Sequence, residues 1–225
     1  MTAPVVLAVD VGGSHVKVLL SSGGERRRFE SGHGLTAQQM VDGVKGITGD
    51  WNYDSVSVGV PAPVRDERVL SEPFNLGGGW VGFDFEHAFG VPTKVVNDAV
   101  MQALGSYEGG KMLFLGLGTG LGSALVVDGV VEPLELAHLP FRKATFEDYV
   151  GIRGLEKLGK KKWRAAVAET IERLAAAVEA DYVVLGGGNA KKLGELPPNT
   201  RVGANENAFL GGFRLWDPGR SSLAS

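Results

Sequence analysis

The feature that most restricts the fold is a matched pair of glycine-centred segments, residues 5–20 (VVLAVDVGGSHVKVLL) and residues 112–127 (MLFLGLGTGLGSALVV). Each is an apolar run, a short glycine break and a second apolar run, the pattern of strand, tight turn and strand. Superposing Asp10-Val11-Gly12-Gly13-Ser14 on Gly116-Leu117-Gly118-Thr119-Gly120 brings the flanking strands into register. A repeat at about half the chain length points to two related lobes and not to a solenoid. Adjacent glycines permit positive φ and close backbone approach without a Cβ. Successive N–H groups around such a turn make a concave anion site. Asp10, at the end of its strand, is placed to hold a hydrated Mg²⁺ against a phosphate. Taken singly, either segment reads equally well as an ordinary hairpin. Together, facing each other from two lobes, they are placed to grip one polyphosphate.

Composition narrows the function classes. The 225 residues suffice for one large domain or two small lobes with ample core. The longest apolar runs are strand-sized, so no membrane span is expected. No basic region precedes the first apolar run and Asp10 interrupts it early, which argues against a signal peptide. With no cysteine there can be no disulfide or thiolate metal site, which suits the cytoplasm. A net charge of −3 does not suit nucleic-acid binding by the chain as a whole.

Between the two segments, the triplet Arg26-Arg27-Arg28 sits in a polar stretch and reads as a solvated turn or strand edge. Residues 35–46 suggest a short helix with Thr36 as its cap. Residues 55–60 (SVSVGV) alternate as a strand and stop at Pro61-Ala62-Pro63, the kind of strand end where α/β proteins place ligands. Residues 72–80 (EPFNLGGGW) combine an amide, an aromatic and three glycines. Such a loop suits an apolar wall with a few aimed polar groups, as sugars require, or else a flexible surface loop with a partly buried Trp80. Residues 83–89 suggest a helix and 92–96 a strand that delivers Asn97-Asp98 to a helix over 99–107. Asp98 there serves either as an N-cap or as a general base. Taking a proton from an attacking hydroxyl typically contributes roughly 10²–10⁴-fold. Asn97 is placed to hold a neighbouring hydroxyl.

Asp128-Gly129 marks a turn after the second segment. Glu135 and His138 follow a strand-like stretch and, by themselves, read as structural. Residues 155–180 are mostly helical, with Trp163, Val167, Ile171, Leu174 and Val178 at core spacing. Lys157, Lys160, Lys161, Lys162 and Arg164 form a basic cluster in an acidic chain, either a solvated charge run or a track for a polyanion. Residues 182–185 form a buried strand ending at Gly186-Gly187-Gly188-Asn189, where a flat group such as adenine can lie on bare backbone. Residues 205–216 suggest a closing helix.

With these pieces placed, the sequence resembles the ROK sugar-kinase family, and within it the bacterial polyphosphate/ATP glucokinases. AVDVGGSHVK and GLGTGLGSALVVDG look like the two phosphate motifs, EPFNLGGGW like the sugar loop, and VNDA like the catalytic-aspartate segment. FEDYVGIRGLEKLGKKKWR, VVLGGGNAKKL with LPPNT after it, and NENAFLGGFRLW are similar to the polyphosphate branch. The resemblance implies an α/β, actin-like ATPase (ribonuclease H-like) fold with two lobes and a central cleft. The lobes would be residues 1–108 and 109–225, with the C-terminal helix free to pack back on the first.

It implies phosphoryl transfer from polyphosphate or ATP to the 6-hydroxyl of glucose in a cytoplasmic homodimer. Asp98 would be the base, with Asn75, Asn97, Glu135 and His138 around the sugar. Gly12, Gly13, Ser14, Gly118, Thr119 and Gly120 would line the phosphates. Gly187, Gly188, Asn189 and Lys160 to Lys162 would lie on the donor side, with Mg²⁺ held near Asp10 through water and no zinc site.

Two positions depart from the family's patterns. Ala137 stands in the glycine position of Glu-x-Gly-His, and Ala62 in that of Gly-x-Pro-Gly; a methyl at either place is expected to narrow the sugar pocket or shift a backbone approach. ROK repressors carry a DNA-binding domain ahead of the first strand, and none is expected with that strand beginning by Val5. The rival readings are a sugar sensor that lost catalysis, a kinase for mannose or an N-acetylated sugar, and an actin- or Hsp70-like ATPase switch.

Overall fold

The apolar runs beside the first glycine break pair as a hairpin because Val and Leu alternate toward one face while the break supplies the turn. The computed structural model describes residues 4–204 and 206–217. In it β1 (Val6–Val11), β2 (His15–Leu20) and β3 (Arg27–Glu30) form an antiparallel meander. Helix α1 (Ala37–Ile47) crosses to β4 (Ser55–Val60), which runs parallel to β1. The small hairpin β5 (Val64–Arg65) and β6 (Arg68–Val69) and helix α2 (Phe85–Phe89) lead to β7 (Thr93–Asn97), parallel to β4, and then to α3 (Asp98–Ser106). Thr36 starts α1 through a reciprocal capping box with Gln39. Asp84 starts α2, and Gly90 in the left-handed region ends it.

The second half repeats the plan. β8 (Lys111–Leu117), β9 (Leu121–Val127) and β10 (Val130–Leu134) form another antiparallel meander. Asp128 and Gly129 join its last two strands with φ of 52° and 85°, the mirror-image turn that matches strand twist. After β11 (Pro140–Phe141), β12 (Ala144–Thr145), α4 (Phe146–Val150) and α5 (Ile152–Val178), β13 (Tyr182–Gly186) returns parallel to β8. A single turn (Ala190–Lys192), β14 (Thr200–Val202) and α6 (Asn207–Arg214) complete the chain. The sheet orders, β3-β2-β1-β4-β7 and β10-β9-β8-β13-β14, correspond strand for strand.

Alternation along the central strands sorts side chains between layers. Leu7, Val9 and Val11 of β1 face α1 and α2 in one core. Leu113, Leu115 and Leu117 of β8 face α4 and α5 in another. Met112 and Phe114 instead meet α3 and α6 in a third core, between the two sheets. Side chains are absent where α3 and α6 cross: a Cβ on Gly105 would overlap the Asn207 carbonyl, and one on Gly211 the Met101 carbonyl. Helix α6 also reaches the first sheet, since Ser57 Oγ of β4 donates to the Gly212 carbonyl at 2.6 Å.

Several expectations need correction. Helix α5 starts three residues earlier than expected and bends at Gly159 (φ 73°), which only glycine adopts without strain. The closing helix is shorter than residues 205–216, and Asn205 lies outside the described residues. The two hairpins match on their incoming strands only. Val11 pairs with Val16 across a four-residue turn and Leu117 with Leu121 across three, so the outgoing strands slip by one. Trp80 is fully buried, its Nε1 donating to the Leu35 carbonyl.

Candidate active site

Because β1, β4 and β7 run parallel, their carboxyl ends share one edge of the sheet. Asp10 is level with Gly59, and Gly59 with Val96, so Asp98 stands just past the end of the third strand. Gly59 keeps the space between them clear: a Cβ there would meet Met101 Cε at 2.6 Å and Asp98 Cα at 3.5 Å. Asp98 is half-buried, and the protein around it pushes its carboxyl up to about 7, desolvation first and the Asp10 charge second. The hydrogen bond from the Ala99 N–H to Asp98 Oδ1, 2.8 Å, opposes that shift only in part. A carboxyl poised near neutrality is suited to accepting a proton.

Asn97, not Asp98, caps α3. Its Oδ1 accepts from Ala99 and Val100, and its Nδ2 donates to the Ala62 carbonyl at 3.0 Å. The carboxamide is thus engaged at both ends within the protein, and Asp98 Oδ1 shares the Ala99 N–H with it. Lys17, across the hairpin from Asp10, donates to Asp10 Oδ2 at 3.0 Å. Asp10 Oδ1 has no hydrogen-bond partner among the described residues.

At the first turn Gly12 and Gly13 do not adopt positive φ. What they supply is room: a Cβ on Gly12 would come within 3.1 Å of the His15 carbonyl, and one on Gly13 within 3.4 Å of Asn75 Cβ. The exposed Ser14 completes the turn, and Ser31 braces it through its hydroxyl to the Gly12 carbonyl and its N–H to the Ser14 carbonyl. Asn75, whose amide makes no hydrogen bond among the described residues, therefore stands beside this turn. Its loop is not slack. The Glu72 carboxylate accepts from the N–H groups of Gly79, Trp80 and Val81, and Gly77 N–H donates to the Leu35 carbonyl. On this fixed loop Phe74 is 88% exposed.

The second turn is closed by Gly118 N–H to the Gly120 carbonyl, 3.2 Å. Asn189 is buried, and its Nδ2 donates to the Gly118 carbonyl at 2.9 Å while its N–H reaches the Leu117 carbonyl. Gly187, at φ 80°, lies so close that a Cβ would overlap the Leu117 carbonyl. Asn189 therefore positions the turn, and only Gly188, with nothing within 4 Å of its Cβ position, stays open. Gly122 brings this hairpin against Ala99, 3.0 Å from Cβ position to Cβ, one residue from Asp98. Next to it, Ser123 Oγ donates to the Leu134 carbonyl and accepts from Leu136 N–H, which fixes the exposed Glu135 between them.

His138 is exposed in the same loop. Ala62 and Ala137 are each 4% exposed and bury their methyls in the first and second cores.

The structure thus brings Asp10 and Asp98 to one edge, sets Asn75 beside the Gly12–Ser14 turn, and puts Gly122, just past the second turn, against Ala99, while Asn189 holds that turn at Gly118. Lys160, Lys161 and Lys162 sit further out, exposed beyond the α5 bend, where Arg164 donates to the Lys192 carbonyl at 2.9 and 2.7 Å. Lys17 and Gly59 went unnoticed in the sequence. The hairpin register is the signal that locates Lys17, since it places that lysine opposite Asp10. Among the described residues no group of three or more His, Cys, Asp or Glu could hold a metal ion. A Mg²⁺ that keeps most of its waters needs only one or two carboxylates, and Asp10 with its free oxygen fits that demand.

No protein-family model matches the chain, and no curated protein sequence matches it. Solved structures do. An inorganic polyphosphate/ATP-glucomannokinase from Arthrobacter sp. strain KM superposes with TM-score 0.80 at 22% identity, covering 94% of this chain and 97% of that one. A ROK family glucokinase from Streptomyces griseus, in complex with glucose and AMPPNP, gives 0.70 at 16%, covering 94% and 99%. A putative N-acetylmannosamine kinase from Listeria monocytogenes gives 0.72 at 16%, covering 93% and 97%. With its two corresponding sheets and the helices between them, the chain has the actin-like ATPase fold of the ROK sugar kinases.

Proposed function

We propose that the protein is a cytoplasmic sugar kinase of glucokinase type, transferring a phosphoryl group from polyphosphate or ATP to the 6-hydroxyl of glucose. The observation that carries this reading is the position of Asp98. Its carboxyl stands at the strand edge shared with Asp10, with Asn97 capping the helix it begins and Gly122 of the second hairpin against the next residue, Ala99. The resemblance adds a homodimer, and the halves 1–108 and 109–225 as the lobes that close on the sugar.

Asp98 takes the proton of the 6-hydroxyl as its oxygen bonds to the terminal phosphorus. The phosphorus–oxygen bond to the rest of the donor breaks, and ADP or a shortened polyphosphate leaves. The two turns present N–H groups to the donor oxygens, which is the positioning and electrostatic work such transfers need. Asp10 would hold Mg²⁺ through water, supplying charge neutralisation on the donor phosphates when bound. Asn75, Glu135 and His138 surround the sugar, and Phe74 offers an apolar wall to its ring. Asn97 fixes the helix start, and the second N–H of its amide remains to hold a sugar hydroxyl.

Ala62 and Ala137, buried in the cores, give no support to a sensor that lost catalysis through those changes. The lysines beyond the α5 bend favour polyphosphate, and the open backbone at Gly188 leaves room for a nucleotide. The decisive experiment is an activity grid of ATP and polyphosphate against glucose, mannose and N-acetylmannosamine. Transfer to glucose with either donor supports the reading. Sugar-independent ATP hydrolysis, or sugar-dependent thermal stabilisation with no transfer to any sugar, overturns it.

A further inference from the structure

The junction of α4 and α5 grips the second glycine turn. Ile152 N–H donates to the Thr119 carbonyl at 3.1 Å, and a Cβ on Gly151 would stand 3.3 Å from Gly120 Cα. A Cβ on Gly120 would overlap the Glu147 carboxylate. A carboxylate therefore lies against the turn assigned to the donor phosphates, where by itself it repels an anion. Arg153, the residue after Ile152, answers it: its Nη2 lies 3.1 Å from Glu147 Oε1 and 3.5 Å from Asp148 Oδ1. Both contacts use the one nitrogen. Nε and Nη1 have no partner among the described residues, and the side chain is 68% exposed.

We propose that Arg153 is a donor-phosphate ligand, held beside the second turn by Glu147 and Asp148 with the free edge of its guanidinium turned to solvent. This rests on the kinase reading and adds to it a residue that selects for the donor's terminal phosphates. Guanidinium suits the task because its planar fork matches two phosphate oxygens, whereas an ammonium offers a point charge. Surface ion pairs of this kind contribute little to folding, so the acidic pair is better explained as orienting the arginine than as holding the helix. Lys157, one helical turn on and exposed, extends the positive charge away from the turn.

The test titrates inorganic tripolyphosphate and AMPPNP into the parent, Arg153→Gln, Arg153→Lys and Glu147→Gln by calorimetry, with steady-state kinetics alongside. For Arg153→Gln, donor Kd and KM should rise about tenfold or more, with sugar KM and melting temperature unchanged. Arg153→Lys should recover only part of the loss, and Glu147→Gln, which leaves Asp148 alone to hold the guanidinium, should weaken donor binding by less than Arg153→Gln does. A donor Kd within about twofold of the parent in Arg153→Gln overturns the proposal. So does a loss that Arg153→Lys restores in full, since that requires charge alone. If the parent transfers phosphate to no sugar, the kinase reading fails, while the titration still decides the role of Arg153.

Discussion

Asn75 rests against Gly13, its Cβ 3.4 Å and its Nδ2 3.9 Å from the position a side chain on Gly13 would take. That distance is ordinary contact, so Gly13→Ala should fold with little loss of stability. The added methyl nonetheless stands between the turn and the free amide. Sugar KM should rise by roughly the cost of a disturbed hydrogen bond, about fivefold to tenfold, and initial rates against sugar concentration will show it. An unchanged KM would separate Asn75 from the sugar.

Asp98→Asn keeps the shape of the helix start and removes the proton acceptor. Turnover should fall by roughly 10²–10⁴-fold while sugar KM stays close to that of the parent. Residual turnover within about tenfold of the parent would remove Asp98 as the base.

The same substitution should stabilise the metal-free protein, and the sign follows from linkage. Asp98 has a folded pKa raised to about 7 from an ordinary value of 3.8, so the folded state holds this proton more tightly than the unfolded chain. Its ionisation in the fold is a penalty absent below the ordinary value, growing as pH rises and complete above about 7. Asp98→Asn should gain up to roughly 4 kcal/mol at pH 8 and close to nothing at pH 4. Urea unfolding at the two pH values measures this, and equal gains at both would contradict it.

Replacing Lys160, Lys161 and Lys162 together by Gln should raise the polyphosphate KM and flatten its dependence on salt. The ATP KM should hold, because these exposed side chains lie beyond the α5 bend, away from the second turn. Polyphosphate kinetics indifferent to the triple change would exclude a basic track.

Glycines divide sharply by what surrounds them. Gly118→Ala adds a methyl where nothing lies within 4 Å, and thermal melts should barely move. Gly105→Ala drives a methyl into the Asn207 backbone and should cost about 3 kcal/mol or more.

Much of this was legible in the sequence because it is written in local signals. The hairpin breaks, the Thr36 cap and the Asp128-Gly129 turn each depend on residues a few positions apart. Which groups the glycines of the first turn make room for was not legible. Of the two uses read for Gly12 and Gly13, positive φ and close approach, only the second holds, and its partners, His15 and Asn75, are set only on folding. Nor does anything nearby in sequence announce the bond from Asn97 to Ala62, 35 positions away.

The C-terminal end of the described chain is tied to its first half. Trp216 Nε1 donates to Ser57 Oγ at 2.9 Å, and Lys94 Nζ to the Leu215 carbonyl at 2.7 Å. A label on the exposed Asp217 therefore travels with the sheet that carries Asp10, although that residue belongs to the other half in sequence. Paired with a second dye on the exposed face of α5, it forms a ruler between the two sheets, and a change in its length on adding glucose would report one plate turning against the other.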